Sequence, residues 1–143
     1  MKLDFSKTNG LIPVIIQNNS TLKVLMLGYM NEQALAKTRK EKTVTFFSRS
    51  KNRLWTKGEE SGNYLNVISI EQDCDNDTLL IKVNPKGPTC HKGNESCFNN
   101  PSAKGFIYQL EKKISQRIDN NDQDSYTNSL YQKGINKIAQ KVG

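Results

Sequence analysis

The sequence predicts an α+β fold: a mostly β region up to about Phe98, followed by two helices. Two observations predict it. Up to Phe98, short β-branched and aromatic runs alternate with Asn, Gly and Pro punctuation, and one segment alone has helix signals. Beyond Phe98, apolar residues recur every four positions between polar turns.

Taken in order, Leu11–Ile16 reads as a strand in which Pro13 predicts an edge position, because proline cannot donate to a ladder. Asn18-Asn-Ser20 is a turn, and Leu22–Leu27 is the returning strand of a hairpin. Asn31 is placed to cap a helix reaching about Lys40, with Ala34 and Leu35 on its apolar face. Thr43–Ser48 is a strand. Asn52–Asn63, polar and with two glycines, reads as a loop around Trp55. Strands follow at Tyr64–Ile70 and Thr78–Val83, and Pro85–Asn100 is a Gly/Pro loop. Phe106, Leu110, Ile114 and Ile118 share one helix face; Asp119–Asp122 is turn chemistry. A second helix from Ser125 carries Leu130, Ile135, Ile138 and Val142. Two short helices bury little area alone, so docking on another surface is expected.

The 143 residues suffice for one domain with an appendage. No apolar run approaches the ~20 residues that span a bilayer. The start, Met1-Lys-Leu-Asp-Phe-Ser6, lacks a signal peptide's apolar stretch, so a cytoplasmic protein without membrane contact is expected. Three cysteines cannot all pair within one chain, and a cytosolic chain keeps them reduced.

The net charge is +7, with 14 Lys and Arg against 10 Asp and Glu up to Phe98 and 7 against 4 beyond it. No basic tract marks a nucleic-acid tail. Cations concentrate at Arg49, Lys51, Arg53 and Lys57, and acids at Asp73, Asp75 and Asp77. That combination fits a small phosphorylated ligand with a divalent metal, since the acids would repel a long polyanion.

The most informative stretch is Asp73-Cys-Asp-Asn-Asp77. If extended, it places the three carboxylates on one face, suited to a hard cation such as Mg²⁺, and Cys74 on the other. The remaining thiols, Cys90 and Cys97, lie in Gly87-Pro-Thr-Cys-His-Lys-Gly-Asn-Glu-Ser-Cys-Phe98. Three thiolates with an open fourth position form the pattern of a catalytic Zn²⁺. Other readings stand beside these. The cysteines could be inert core residues, the acids a solvated turn, the cations a solvated face, and His91 a structural histidine. A zinc-stabilised nucleic-acid module, or an interaction protein using its tail helices, would also fit parts of the pattern.

At these residues the sequence resembles the phosphoribosyl-AMP cyclohydrolases of histidine biosynthesis. The matching text is Val24-Leu-Met-Leu-Gly-Tyr-Met-Asn-Glu-Gln-Ala-Leu35, Val44-Thr-Phe-Phe-Ser-Arg-Ser50, Leu54-Trp-Thr-Lys-Gly-Glu-Glu-Ser-Gly62, Asp73–Asp77, Gly87-Pro-Thr-Cys-His91 and Ser96-Cys-Phe98. The resemblance implies a pseudo-barrel-like domain over residues 1–103 and a homodimer. It implies Mg²⁺ on Asp73, Asp75 and Asp77, and Zn²⁺ on Cys74, Cys90 and Cys97 drawn from both subunits. The implied reaction is hydrolytic opening of the adenine ring of 1-(5-phosphoribosyl)-AMP at the N1–C6 bond, giving a formimino carboxamide ribonucleotide.

For that reaction His91 is the expected acid–base, or orients the site beside Cys90. Arg49, Arg53 and Lys57 are candidates for the phosphates, Trp55 for stacking or packing, and Ser61 and Gly62 for backbone donation to a phosphate. Residues 104–143 resemble the start of the phosphoribosyl-ATP pyrophosphohydrolase domain of bifunctional enzymes, through Phe106–Glu111, Ser125–Leu130 and Lys133–Gly143. The Glu-rich metal-binding helix expected next does not follow, so pyrophosphohydrolase activity is expected to be absent from this chain.

Overall fold

The computed structural model describes residues 1–99, 106–119 and 126–134. A 3-10 turn at Phe5–Thr8 precedes β1 (Ile12–Asn18), β2 (Val24–Met30), α1 (Glu32–Glu41), β3 (Thr45–Ser48), β4 (Arg53–Thr56), β5 (Leu65–Gln72) and β6 (Leu79–Pro85). Helices α2 (Phe106–Asp119) and α3 (Tyr126–Lys133) complete an α+β chain. It divides into two compact units, Met1–Pro101 and Ser102–Gly143; the expected boundary at 103 and 104 lies outside the described residues.

β1 and β2 form the expected hairpin, running from the Ile12–Met30 pair to the Gln17–Val24 pair. Its turn is built by Asn18, whose side-chain oxygen accepts the N–H groups of Ser20 (2.8 Å) and Thr21 (3.2 Å). Leu22, expected to begin the second strand, instead takes a left-handed φ of 61° within that turn.

The expected edge position of Pro13 is not found. β1 is an interior strand in the order β2-β1-β6-β5. The parallel ladder between β1 and β6 starts only at Val14–Leu79, so the missing N–H of Pro13 falls just before it. No local signal announces a parallel partner more than 60 residues away.

The core follows from period-two alternation. Ile12, Val14 and Ile16 of β1 and Ile81 and Val83 of β6 are wholly buried. Burial of each such side chain stabilises by about 1.5–3 kcal/mol. The same cluster contains Ala34 and Leu35 of α1 and Val44 and Phe46. α1 starts where expected: the Asn31 side chain accepts the Ala34 N–H at 2.8 Å. It ends as Lys42 turns left-handed.

Residues 53–56, expected within a loop, form β4 and pair antiparallel with β3. Leu54 and Trp55 are the reason. Trp55 packs on Phe46 with ring centroids 5.8 Å apart, and that contact outweighs the polar flanks. The two-stranded and four-stranded sheets meet along β5. Thr43 bridges Asn66, and the Val44 N–H donates to the Leu65 carbonyl. On the other side Gly28 of β2 lies flat on Phe46; a Cβ there would come within 2.5 Å of the ring. The strands thus curl around one core without closing into a barrel.

In the second unit, α2 and α3 pack on each other. The expected apolar positions Ile135, Ile138 and Val142 lie outside the described residues. Among the described residues no helix is long and apolar enough to cross a membrane.

Candidate functional site

Two constellations carry the chemistry. The first is the acidic turn between β5 and β6. The segment is not extended: the chain reverses over residues 73–77, with Asn76 at a φ of 65°. Asp73 accepts the N–H groups of Asp77 (3.0 Å) and Thr78 (3.1 Å), and Asn76 accepts from the Gln72 amide at 2.6 Å. The three carboxylates therefore converge by the turn, not by strand alternation. One oxygen of each of Asp73, Asp75 and Asp77 lies within 4.8 Å of the others. Cys74 is exposed and outside this group.

Desolvation raises the Asp73 carboxyl, but the Thr78 and Asp77 N–H groups outweigh it and hold it below the usual carboxylate range. Asp75 is pushed up by its hydrogen bond to Asp73, by desolvation and by the neighbouring negative charges. Three hard oxygens that repel one another fit a divalent cation. The Lys7 ammonium already stands among them, 3.5 Å from Asp77 and 3.6 Å from Asp75.

The second constellation is a cleft of about 270 Å³ between the loop after β4 and the cysteine loop. Gly58 stands at a φ of 92°, and a Cβ there would come within 2.5 Å of the Asn63 backbone. Gly87 is pressed against the Asn63 side chain, where a Cβ would come within 2.4 Å of its oxygen. Asn63, at the end of the first loop, thus packs its side chain against Gly87, just before the cysteine loop.

The cysteine loop is closed by the Cys90 N–H on the Asn94 carbonyl at 3.0 Å. It is strapped to β2 by the Cys97 N–H on the Leu25 carbonyl (2.8 Å) and the Ser96 hydroxyl on the Val24 carbonyl (2.8 Å). Burial, then the Cys90 charge and hydrogen bond, push the Cys97 thiol up, against the nearby Lys57 ammonium. Two soft donors in one loop fit a zinc ion that still needs a third thiolate.

Of the residues singled out in the sequence, Trp55, Lys57, Ser61, Cys90 and His91 line this cleft. Lys57 lies 5.5 Å from the Trp55 ring centroid, so Trp55 both packs on the core and faces the cleft. Arg53, Arg49 and Gly62 are placed otherwise. Arg53 is held by Glu59 (3.0 Å) and the Leu54 carbonyl (2.9 Å). Arg49 stacks on Tyr29 at 4.0 Å. The Gly62 N–H is spent within its own turn on the Gly58 carbonyl at 2.8 Å.

Sequence reading missed Asn63 and Thr89. Thr89 is 1% exposed, and its hydroxyl has no hydrogen-bond partner among the described residues. The Ser-Gly-Asn and Gly-Pro turn signals beside them were the available hint.

Comparison with known proteins gives the family of the chain. The phosphoribosyl-AMP cyclohydrolase family model matches residues 26–99. The histidine biosynthesis bifunctional protein HisIE of Bacteroides thetaiotaomicron is 59% identical over 145 residues, covering 100% of this chain and 71% of that protein. The HisIE protein of Escherichia coli K12 is 57% identical, covering 99% of this chain and 70% of its own length. That of Buchnera aphidicola is 58% identical, with 100% and 67% covered.

Proposed function

The chain belongs to the phosphoribosyl-AMP cyclohydrolase family of histidine biosynthesis, and from that premise we propose that it opens the adenine ring of 1-(5-phosphoribosyl)-AMP by hydrolysis of the N1–C6 bond in the cleft between Lys57 and His91. The observation that carries this reading is the convergence of Trp55, Lys57, Cys90 and His91 on that one cleft.

Cys90 and Cys97, with Cys74 of a second copy, would hold Zn²⁺, and Asp73, Asp75 and Asp77 would hold Mg²⁺. Zinc bound there supplies a water ionised near neutral pH. What supports a second copy is that Cys74 and Cys97 are reached from different ends of β1. Cys74 precedes Leu79, which pairs with Val14 near the start of β1, whereas Cys97 is tied to Leu25, next to Val24, which pairs with Gln17 near its end. Among the described residues, the acidic trio is also the one group of three or more potential ligands within 4.8 Å. A homodimer with two shared sites is part of this reading.

The residues divide the remaining work. Lys57 draws an anionic substrate into the cleft and Trp55 offers it a ring face. As oxygen bonds to C6 and the N1–C6 bond breaks, one proton leaves the attacking oxygen and one must reach N1. His91, beside Cys90 in the lining, is the group to carry it. Three free thiols suit a reducing compartment, and the cytoplasm is the location this reading assigns.

Ring opening changes the purine chromophore, so ultraviolet absorbance of purified protein with 1-(5-phosphoribosyl)-AMP tests the reading directly. A steady spectral change lost on chelation is expected; an unchanged spectrum with metal-replete protein overturns it. His91→Ala is expected to lower kcat by about 10²–10⁴-fold with zinc retained. A loss below tenfold would assign proton transfer to another group.

A further inference from the structure

The amino-terminal segment makes a contact that the reaction does not use. Lys7 lies about 70 residues from the acids in sequence, yet its ammonium donates to the Asp75 carbonyl at 2.9 Å and to the Asp77 carboxylate at 3.5 Å. The segment is held in place for this. The Asp4 N–H donates to the Asn76 carbonyl at 2.7 Å, a backbone latch onto the acidic turn itself. The Asp4 side chain accepts the Ser6 N–H at 3.0 Å and caps the 3-10 turn that presents Lys7. Asn9 and Gly10 then turn left-handed, the Gly10 N–H closes on the Phe5 carbonyl at 2.8 Å, and Phe5 packs against the core.

We propose that Lys7 is a built-in occupant of the acidic turn that a divalent cation must displace, so that cation binding loosens residues 4–10; this rests on the reading of Asp73, Asp75 and Asp77 as a cation site. A single-charge ammonium and a divalent cation compete for the carboxylates of Asp75 and Asp77. Two positive charges cannot share them at this distance without mutual repulsion. The lysine stem is long and flexible, so the ammonium can swing into solvent, where it is strongly hydrated. What is lost with it is one of the two ties between the segment and the turn. The acidic site and the amino terminus are thereby coupled: a tighter segment means weaker cation uptake, and the reverse.

Mn²⁺ is the probe, with uptake by the full chain followed by its electron paramagnetic resonance signal for wild type, Lys7→Met and Asp75→Asn. Lys7→Met, which keeps the apolar stem, is expected to bind Mn²⁺ about two- to fivefold more tightly than wild type, the range of a partly exposed ion pair. Hydrogen exchange over residues 4–10 of wild type is expected to quicken with Mg²⁺, a readout that needs no variant. Equal or weaker uptake by Lys7→Met, or exchange at 4–10 unmoved by bound cation, overturns the proposal and leaves the cation site standing. No uptake by wild type, or undiminished uptake by Asp75→Asn, overturns the cation-site reading and the proposal with it.

Discussion

Cys90→Ser is expected to lose bound zinc and turnover together, with kcat down by about a thousandfold or more. The serine hydroxyl is a hard, un-ionised oxygen at neutral pH and replaces a soft thiolate donor. On the proposed mechanism, water at neutral pH without the metal would be a poor nucleophile toward C6, and His91 alone would supply only the proton-transfer part of the rate. The fold should survive, because Cys90 is only partly buried and lies in a loop outside the hydrophobic cluster. Zinc content by mass spectrometry and turnover by ultraviolet absorbance are measured on the same sample. Full activity in zinc-free Cys90→Ser protein would sink the zinc chemistry altogether.

Mixing two inactive variants should restore activity. If the proposed shared site holds, Cys74→Ser and Cys90→Ser homodimers would each lack one ligand in both sites. In a mixed dimer, one site receives Cys74 from the Cys90→Ser chain and Cys90 and Cys97 from the Cys74→Ser chain, and is complete; the other site lacks both ligands. Statistical exchange of equal amounts then leaves about a quarter of the wild-type sites intact, by two-fold symmetry. Refolding the chains together and measuring turnover gives the answer. Activity no higher than the separate variants would place all three ligands within one chain, or remove the dimer from the mechanism. The physical ground for expecting rescue is the separation of Cys74 from Cys97 along β1 and β2.

Much of the local structure was legible because its causes are local. Asn31 capped the helix it was expected to cap, and the Asn18 turn formed the expected hairpin, since each needs only a side chain and the N–H groups two or three residues on. The strand Arg53–Thr56 was not legible. Its stability comes from Trp55 against Phe46, a contact invisible in the polar composition around it. Of the candidate phosphate ligands, Lys57 was placed in the cleft, while Arg53 and Arg49 were drawn to Glu59 and Tyr29. Residue type cannot announce which neighbour a long cation will find.

The sequence by itself determined the α+β class, every strand and helix but β4, the family, and the identity of the acids and thiols, all properties of residue type and short-range spacing. Only the tertiary structure decided that β1 is interior, that the acids converge through a turn, that Asn63 packs against Gly87 at the cleft, and that Lys7 stands on the acids. The acidic turn closes locally, through Asp73 on the N–H groups of Asp77 and Thr78, but the others depend on segments tens of residues apart meeting. Such meetings are fixed by burial of the shared core and not by any local preference of the chain.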